Sequence, residues 1–201
     1  MSAFFTLAAA CSAETRVKDS RFIAWLTPAQ SRAQAEELLA ARAKEFSDAT
    51  HNCYAYRLGM EEQLLAYAND AHEPAGSAGR PMLQVLESRK LTNVLAVVTR
   101  YFGGTKLGVG GLMRAYSGAV QAVIEAATLL PFIRKSSLQL TYQYADSANV
   151  ESVLRKFEAH VLANDFGLEV QRRIEVRAEQ TEEFAFELNE RCAGRVRIVI
   201  A

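Results

Sequence analysis

Hydrophobic and polar positions follow different patterns in the two parts of this chain. In the first part, Arg21 to Leu26 (RFIAWL) reads as a short buried strand. Thr27-Pro28-Ala29-Gln30 then looks like a helix start, with Thr27 as cap, Pro28 at the first helical position and Gln30 completing a capping box. Ala35, Leu38, Leu39 and Phe46 recur at helical spacing, and Cys53 to Leu58 reads as a second strand. Glu61 to Ala68 fits a helical turn or a hairpin arm, and periodicity does not decide between them. His72 to Pro81 (HEPAGSAGRP) is a loop by its Gly and Pro content, and Met82 to Arg89 is a short helix. Val94 to Val98 is a continuous apolar run, as expected of a central strand covered on both faces. The Gly-rich stretch Tyr101 to Gly111 leads into a long helix that reaches about Leu129. Its stripe is Leu112, Tyr116, Val120, Val123 and Ala127, and Pro131 marks a break.

Beyond that break the pattern changes. Leu138, Leu140, Tyr142 and Tyr144 alternate with Gln139, Thr141 and Gln143, which predicts a one-sided strand. Asp146 caps a helix with Val150, Val153, Leu154 and Phe157 on one face. His160 to Ala163 is a short strand. The turn Asn164-Asp165-Phe166-Gly167 leads into the alternation Leu168, Val170, Ile174, Val176, interrupted by Arg172. Phe184 and Leu188 mark a helix, and Val196, Ile198 and Ile200 a last strand. The order β-α-β-β-α-β is that of a ferredoxin-like unit. The chain is therefore expected to be α+β with two domains, residues 1–133 and 134–201, the boundary falling near Pro131 to Ser136.

Composition narrows the function classes. Lys plus Arg and Asp plus Glu number 23 each, so the net charge is zero and any anion site must be a local patch. Cys11, Cys53 and Cys192 are widely spaced and form no CxxC, which fits reduced thiols in a cytoplasm rather than a disulfide framework or a zinc site. No apolar run approaches the roughly 20 residues of a membrane span, so no membrane partner is expected. Phe4 to Ala10 is apolar and ends at Cys11, but no Lys or Arg precedes Arg16, as an export signal would require; an N-terminal strand is expected.

The stretch richest in chemistry is TRYFGGTKLGVGGLMRAY, residues 99–116. It follows a buried strand and opens a helix, with Arg100, Lys106 and Arg114 and no acid. The glycines let backbone N–H groups approach a ligand, and a helix start favours anions. Tyr101 and Phe102 offer a stacking face. The combination suits phosphate, free or in a nucleic-acid backbone. It is not a P-loop, because Gly108 is followed by Val109-Gly110, and not a dinucleotide fingerprint, because Met113 stands where a glycine is needed. The competing reading is structural: the glycines serve tight turns and close packing, and both aromatics lie in the core.

Other constellations carry less. His51 and Cys53 share a strand face and suggest a Cys–His pair, or a metal site with His72, although a small buried thiol and a hydrogen-bonded histidine explain them more simply. Glu73 with Asp70 is a candidate acid/base pair, against solvated or capping carboxylates. Ser77 lacks the spacing of a nucleophile elbow. Arg172-Arg173, flanked by Glu169 and Glu175, reads as a solvated strand face, and His160 as a structural or exposed residue. No catalytic residue, metal or cofactor is assigned.

The long stretch resembles the signature of the YigZ/IMPACT family. HEPAGSAGRPML is similar to the family's Glu-Pro-x-Gly-x-Ala-Gly-x-Pro element, and HNCYAYRLG and KDSRFIAWL match two further family stretches. The family typically has Asp-Asp-Gly before Glu-Pro; here Asn69-Asp70-Ala71-His72 stands there, which puts that loop's geometry in doubt. The resemblance implies a first domain like the second domain of ribosomal small-subunit protein five, an α/β sandwich. It implies a second domain like a ferredoxin-type domain of elongation factor G. Eukaryotic members are translational regulators that act by binding proteins. For this chain the expectation is a non-enzymatic, cytoplasmic binding protein linked to translation, contacting RNA or the ribosome. The expected contact residues are Arg100, Tyr101, Lys106, Gly108, Gly110, Gly111, Arg114 and Arg80. The alternatives are a protein-interaction regulator using the same loop, and an enzyme acting on a small phosphorylated or peptide substrate.

Overall fold

The computed structural model describes residues 4–60 and 63–200. It contains eleven strands and five α-helices among those residues, and the chain divides into two compact units that meet between Phe132 and Ile133.

The first unit is built on a five-stranded antiparallel sheet. Its strands are β2 (Cys11–Val17), β3 (Ser20–Pro28), β4 (His51–Leu58), β5 (Leu65–Asn69) and β6 (Val94–Tyr101), in the order β2-β3-β6-β4-β5. Helices α2 (Gly79–Ser88) and α3 (Val109–Ala126) cover one face, and α1 (Arg32–Glu45) covers part of the other. The sheet splits its side chains between two cores by the strand period of two. Phe22, Ala24, Cys53, Ala55, Ala96 and Val98 face α2 and α3, whereas Tyr56, Leu58, Leu95 and Val97 face α1. This explains the unbroken apolar run of β6: it is the central strand and is covered on both faces, although its neighbours are antiparallel. A two-stranded sheet pairs β1 (Phe4–Leu7) with β7 (Leu129–Phe132).

The element boundaries differ from the sequence expectation in several places. Thr27 and Pro28 do not start a helix; they end β3, paired with Leu95 and Val94 of the central strand. The cap of α1 is Ser31, whose hydroxyl accepts from the Gln34 N–H, and the Gln34 side chain accepts from the Gln30 N–H. Strand β2 leaves no clear hydrophobic pattern in the sequence, because it is an edge strand whose inward positions are mostly small. The undecided segment before α2 is a hairpin arm from Leu65 onward; Glu61 and Glu62 lie outside the described residues. Helix α2 begins at Gly79, inside the stretch expected to be loop. Helix α3 ends at Ala126, and Leu129 and Pro131 belong to β7.

The second unit is ferredoxin-like. Strands β8 (Lys135–Tyr142), β9 (His160–Phe166), β10 (Val170–Arg177) and β11 (Arg197–Ile200) lie in the order β11-β8-β10-β9. Helices α4 (Ser147–Lys156) and α5 (Thr181–Arg191) close the core, with Leu138, Leu140, Tyr142, Ile174, Phe184 and Leu188 between them and the sheet. Tyr144 belongs to a 3-10 turn rather than to the strand. Asp146 stands at the α4 start but makes no side-chain cap bond; its carboxylate accepts from Arg195 at both oxygens, which holds it below its ordinary range. The predicted turn at Asn164–Gly167 is mostly strand, and the chain reverses one step later, leaving Leu168 97% exposed. Arg172 is not solvated. It shares the parity of Val170 and Ile174, pairs with Glu151 of α4 and lies over the Tyr142 ring. The core of this unit draws on its own residues alone. A fragment of residues 133–201 is therefore expected to melt cooperatively. A fragment without a cooperative transition in calorimetry would show that the unit needs the rest of the chain.

Candidate functional site

Strand β6 ends at Tyr101 and α3 begins at Val109, so the expected site is the loop between them and the first turns of α3. Gly108 stands at the helix N-cap with φ +72°, a conformation that favours glycine. No side chain caps the helix and no acid lies in its first turn. Lys106, Gly108, Gly110 and Arg114 are exposed, and Gly111 is half-buried. A Cβ on Gly110 would meet only the Arg114 guanidinium, at 3.7 Å, so openness rather than tight packing distinguishes that position. Arg114 lines a groove of about 310 Å³ between α2 and α3, together with Pro81 and Met113. Arg80 is exposed directly before Pro81.

Arg100 and Tyr101 are placed differently from the expectation. The Arg100 side chain is only 6% exposed and donates to Glu73 Oε1 at 2.6 Å and to Ser20 Oγ at 3.3 Å. Its charge is neutralised inside the fold, because β6 turns its even positions towards α2 and α3. Tyr101, of opposite parity, donates its hydroxyl to Asp48 at 2.8 Å, and the Arg21 guanidinium lies 4.5 Å from its ring centre. Nor is the loop acid-free in space. Thr105 donates to Asp19 at 3.0 Å, and a Cβ on Gly103 would stand 2.1 Å from the Asp19 backbone. The close contact of the loop with the β2–β3 turn therefore requires a glycine there.

Beneath the loop lies a buried polar cluster that the sequence suggested only as pairs. Glu73 Oε1 accepts from Arg100 and from the Tyr116 hydroxyl, at 2.7 Å, and lies 3.9 Å from His51 Nε2. His51 donates from Nδ1 to the Ala71 carbonyl at 2.8 Å. Cys53 donates to the Asp70 carbonyl at 3.0 Å and lies 3.3 Å from the Tyr116 hydroxyl. Burial pushes its thiol up to about 12, so it is held as a neutral thiol rather than a nucleophile. His51 and Cys53 do share a face, but the proton of each goes to a different carbonyl. Among the described residues no three His, Cys, Asp or Glu side chains gather to hold a metal.

Asp70 organises the loop before α2. Its carboxylate accepts from the N–H groups of Gly76, Ala78 and Gly79 at 2.8, 2.9 and 2.8 Å. It thereby serves the α2 start, which has no cap from its own N-cap residue, Ala78. His72, in the place of the family's Gly before Glu-Pro, has φ +69°, and Ala71 has φ +44°. The loop thus keeps a left-handed backbone without the glycine, and histidine is among the residues that tolerate it. The sequence did not disclose that Asp70 and Glu73 divide the work, one holding backbone amides and the other a buried cation. Their separate partners come from residues 6–9 and 27 positions away.

The comparisons agree with this architecture. Residues 18–124 match the Impact N-terminal domain, and residues 140–195 match a domain of unknown function (DUF1949). The chain is 36% identical to the IMPACT family member YvyE of Bacillus subtilis, over 92% of this chain and 84% of that protein. It is 29% identical to the IMPACT family member YigZ of Escherichia coli, over 99% and 98%. A solved crystal structure of a hypothetical protein, 29% identical, superposes with a TM-score of 0.72 and covers 100% of this chain and 98% of that one. With both domain matches in sequence order and the sandwich and ferredoxin-like units folded as that resemblance implied, this chain belongs to the IMPACT family.

Proposed function

We propose that this chain is a non-enzymatic, cytoplasmic RNA-binding protein that acts in translation. It contacts the phosphate backbone, in free RNA or on the ribosome, through the loop after β6 and the start of α3. The observation that carries this reading is the open start of α3. An α-helix leaves its first N–H groups without internal partners, here those of Val109, Gly110 and Gly111, and its dipole favours an anion beside them. The 18-residue helix has neither a capping side chain nor an acid in its first turn, and Lys106 and Arg114 flank that turn exposed. Arg80 adds a cation beside the groove that Arg114 lines. Arg100 supports the loop from below rather than touching phosphate. The link to translation is supported by the role that the family resemblance implies.

Three surface cations release about three counterions or fewer, so log affinity should fall against log salt with a slope of about −2. Lys106→Glu is expected to weaken binding of an RNA oligomer with the melt unchanged, because Lys106 is exposed and unpaired among the described residues. Lys156→Glu, the control, removes a cation already paired with Glu187 on the second unit. Anisotropy titrations at low salt compare the two. If both bind RNA like the unaltered chain, the loop is not the site, and a protein partner on the same surface becomes the better reading.

A further inference from the structure

We infer that the site takes an unpaired nucleotide and that Phe102, not Tyr101, is the ring on which its base stacks. This rests on the phosphate reading of the loop and deepens it. The two aromatics of the loop have different fates. Tyr101 is spoken for by Asp48 at its hydroxyl and by Arg21 over its ring. Phe102 is 45% exposed, the more open of the two aromatics, and Tyr101 is half-buried. Its outward position is fixed. The Phe102 N–H donates to Thr50 Oγ1 at 3.0 Å, and the next N–H, of Gly103, donates to Ser20 Oγ at 3.3 Å. The Arg100 guanidinium lies 5.4 Å from the Phe102 ring centre and is itself locked by Glu73, Ser20 and Phe22. The ring therefore stands on a buried cation, with its remaining surface turned to solvent, in the same loop as exposed Lys106. A ring held this way loses little freedom when a planar group docks on it.

Every base has a π-face, so a stacking ring selects no sequence; it selects bases whose faces are free. In a duplex those faces are covered by neighbouring pairs, and the protein meets only edges, sugars and phosphates. An exposed ring beside a phosphate-binding surface thus favours single-stranded segments, loops and bulges over paired RNA. The full chain is titrated with a labelled oligouridine and with a blunt RNA duplex of the same length. The expected result is tighter binding of the single strand, by roughly tenfold for one stacked base. Phe102→Ala should remove that preference and leave duplex binding unchanged, and Phe102→Tyr should restore it. Because Phe102 is exposed, the melts of all three chains should agree. Equal binding of both RNAs by the unaltered chain, or a Phe102→Ala variant that keeps the preference, overturns the inference while the phosphate reading stands. Binding of neither RNA at low salt overturns both.

Discussion

Glu73→Ala is expected to cost the first unit about 3–5 kcal/mol, the range for breaking a buried ion pair by removing one partner. The Glu73 and Arg100 side chains are 3% and 6% exposed, so the variant leaves a guanidinium buried without its counter-charge. It also strips the Tyr116 hydroxyl of its acceptor. Urea unfolding followed by the fluorescence of Trp25, the chain's one tryptophan, reports on this unit. A double variant, Glu73→Leu with Arg100→Met, should lose less than Glu73→Ala alone, because no unpaired charge remains inside. A loss below about 1 kcal/mol for Glu73→Ala, the range of an exposed pair, would mean that water reaches Arg100 and that the cluster does not support the loop.

Asp70→Ala should have the next largest effect, a loss of about 3 kcal/mol, given that a hydrogen bond to a charged group contributes about 1.5–3 kcal/mol. Three backbone N–H groups at the α2 start would lose their acceptor together. Asp70→Asn keeps one carbonyl oxygen and should lose less. The effect depends on pH in a defined direction. Burial works against the Asp70 carboxylate, but the three N–H donors outweigh it and hold the carboxyl below its ordinary value. The folded chain therefore binds that proton more weakly than the unfolded chain. The contribution of Asp70 is complete above about pH 4, where the unfolded carboxyl is ionised, and is lost as pH falls through the lower native value. The difference in urea midpoint between the unaltered chain and Asp70→Ala should shrink on acidification. A difference that stays constant down to about pH 2 would show that the donors do not hold the ionised form.

Much of the site was legible along the chain, and the rest was hidden for a consistent reason. The acid-free stretch from Arg100 to Arg114 looked like three cations offered together. In the fold, strand parity turns Arg100 inward onto Glu73, and the β2–β3 turn brings Asp19 against Thr105. Tyr101 and Phe102, adjacent in sequence, meet different partners, Asp48 and Arg21 for the first and Arg100 for the second, and Phe102 is the more exposed. Parity can be read from sequence; which face is covered cannot. Asp70 and Glu73 were visible as loop carboxylates, but their donors arrive from the following helix start, a central strand and α3. No spacing rule links them.

The sequence alone determined the elements whose burial is locally complete. Val94 to Val98 reads as a doubly covered strand, because a short β-branched-rich run without polar positions has no face to give to water. Val150, Val153, Leu154 and Phe157 could only face one core, because helical spacing puts them on one side. The glycines before α3 fixed a turn into a helix start, through backbone freedom alone. What the tertiary structure decided were the boundaries and the partners. Thr27-Pro28 carried good helix-start chemistry, yet β6 offered a neighbouring strand, and the ladder to Leu95 and Val94 outweighed that local preference. The apolar stripe carried the helix reading to about Leu129 and Pro131 marked a break, yet β1 supplied an edge, and both residues pair with it as β7. In each case a propensity of a few tenths of a kcal/mol per residue met strand pairing and burial contributed by distant segments, and only the assembled sheet sets those contributions.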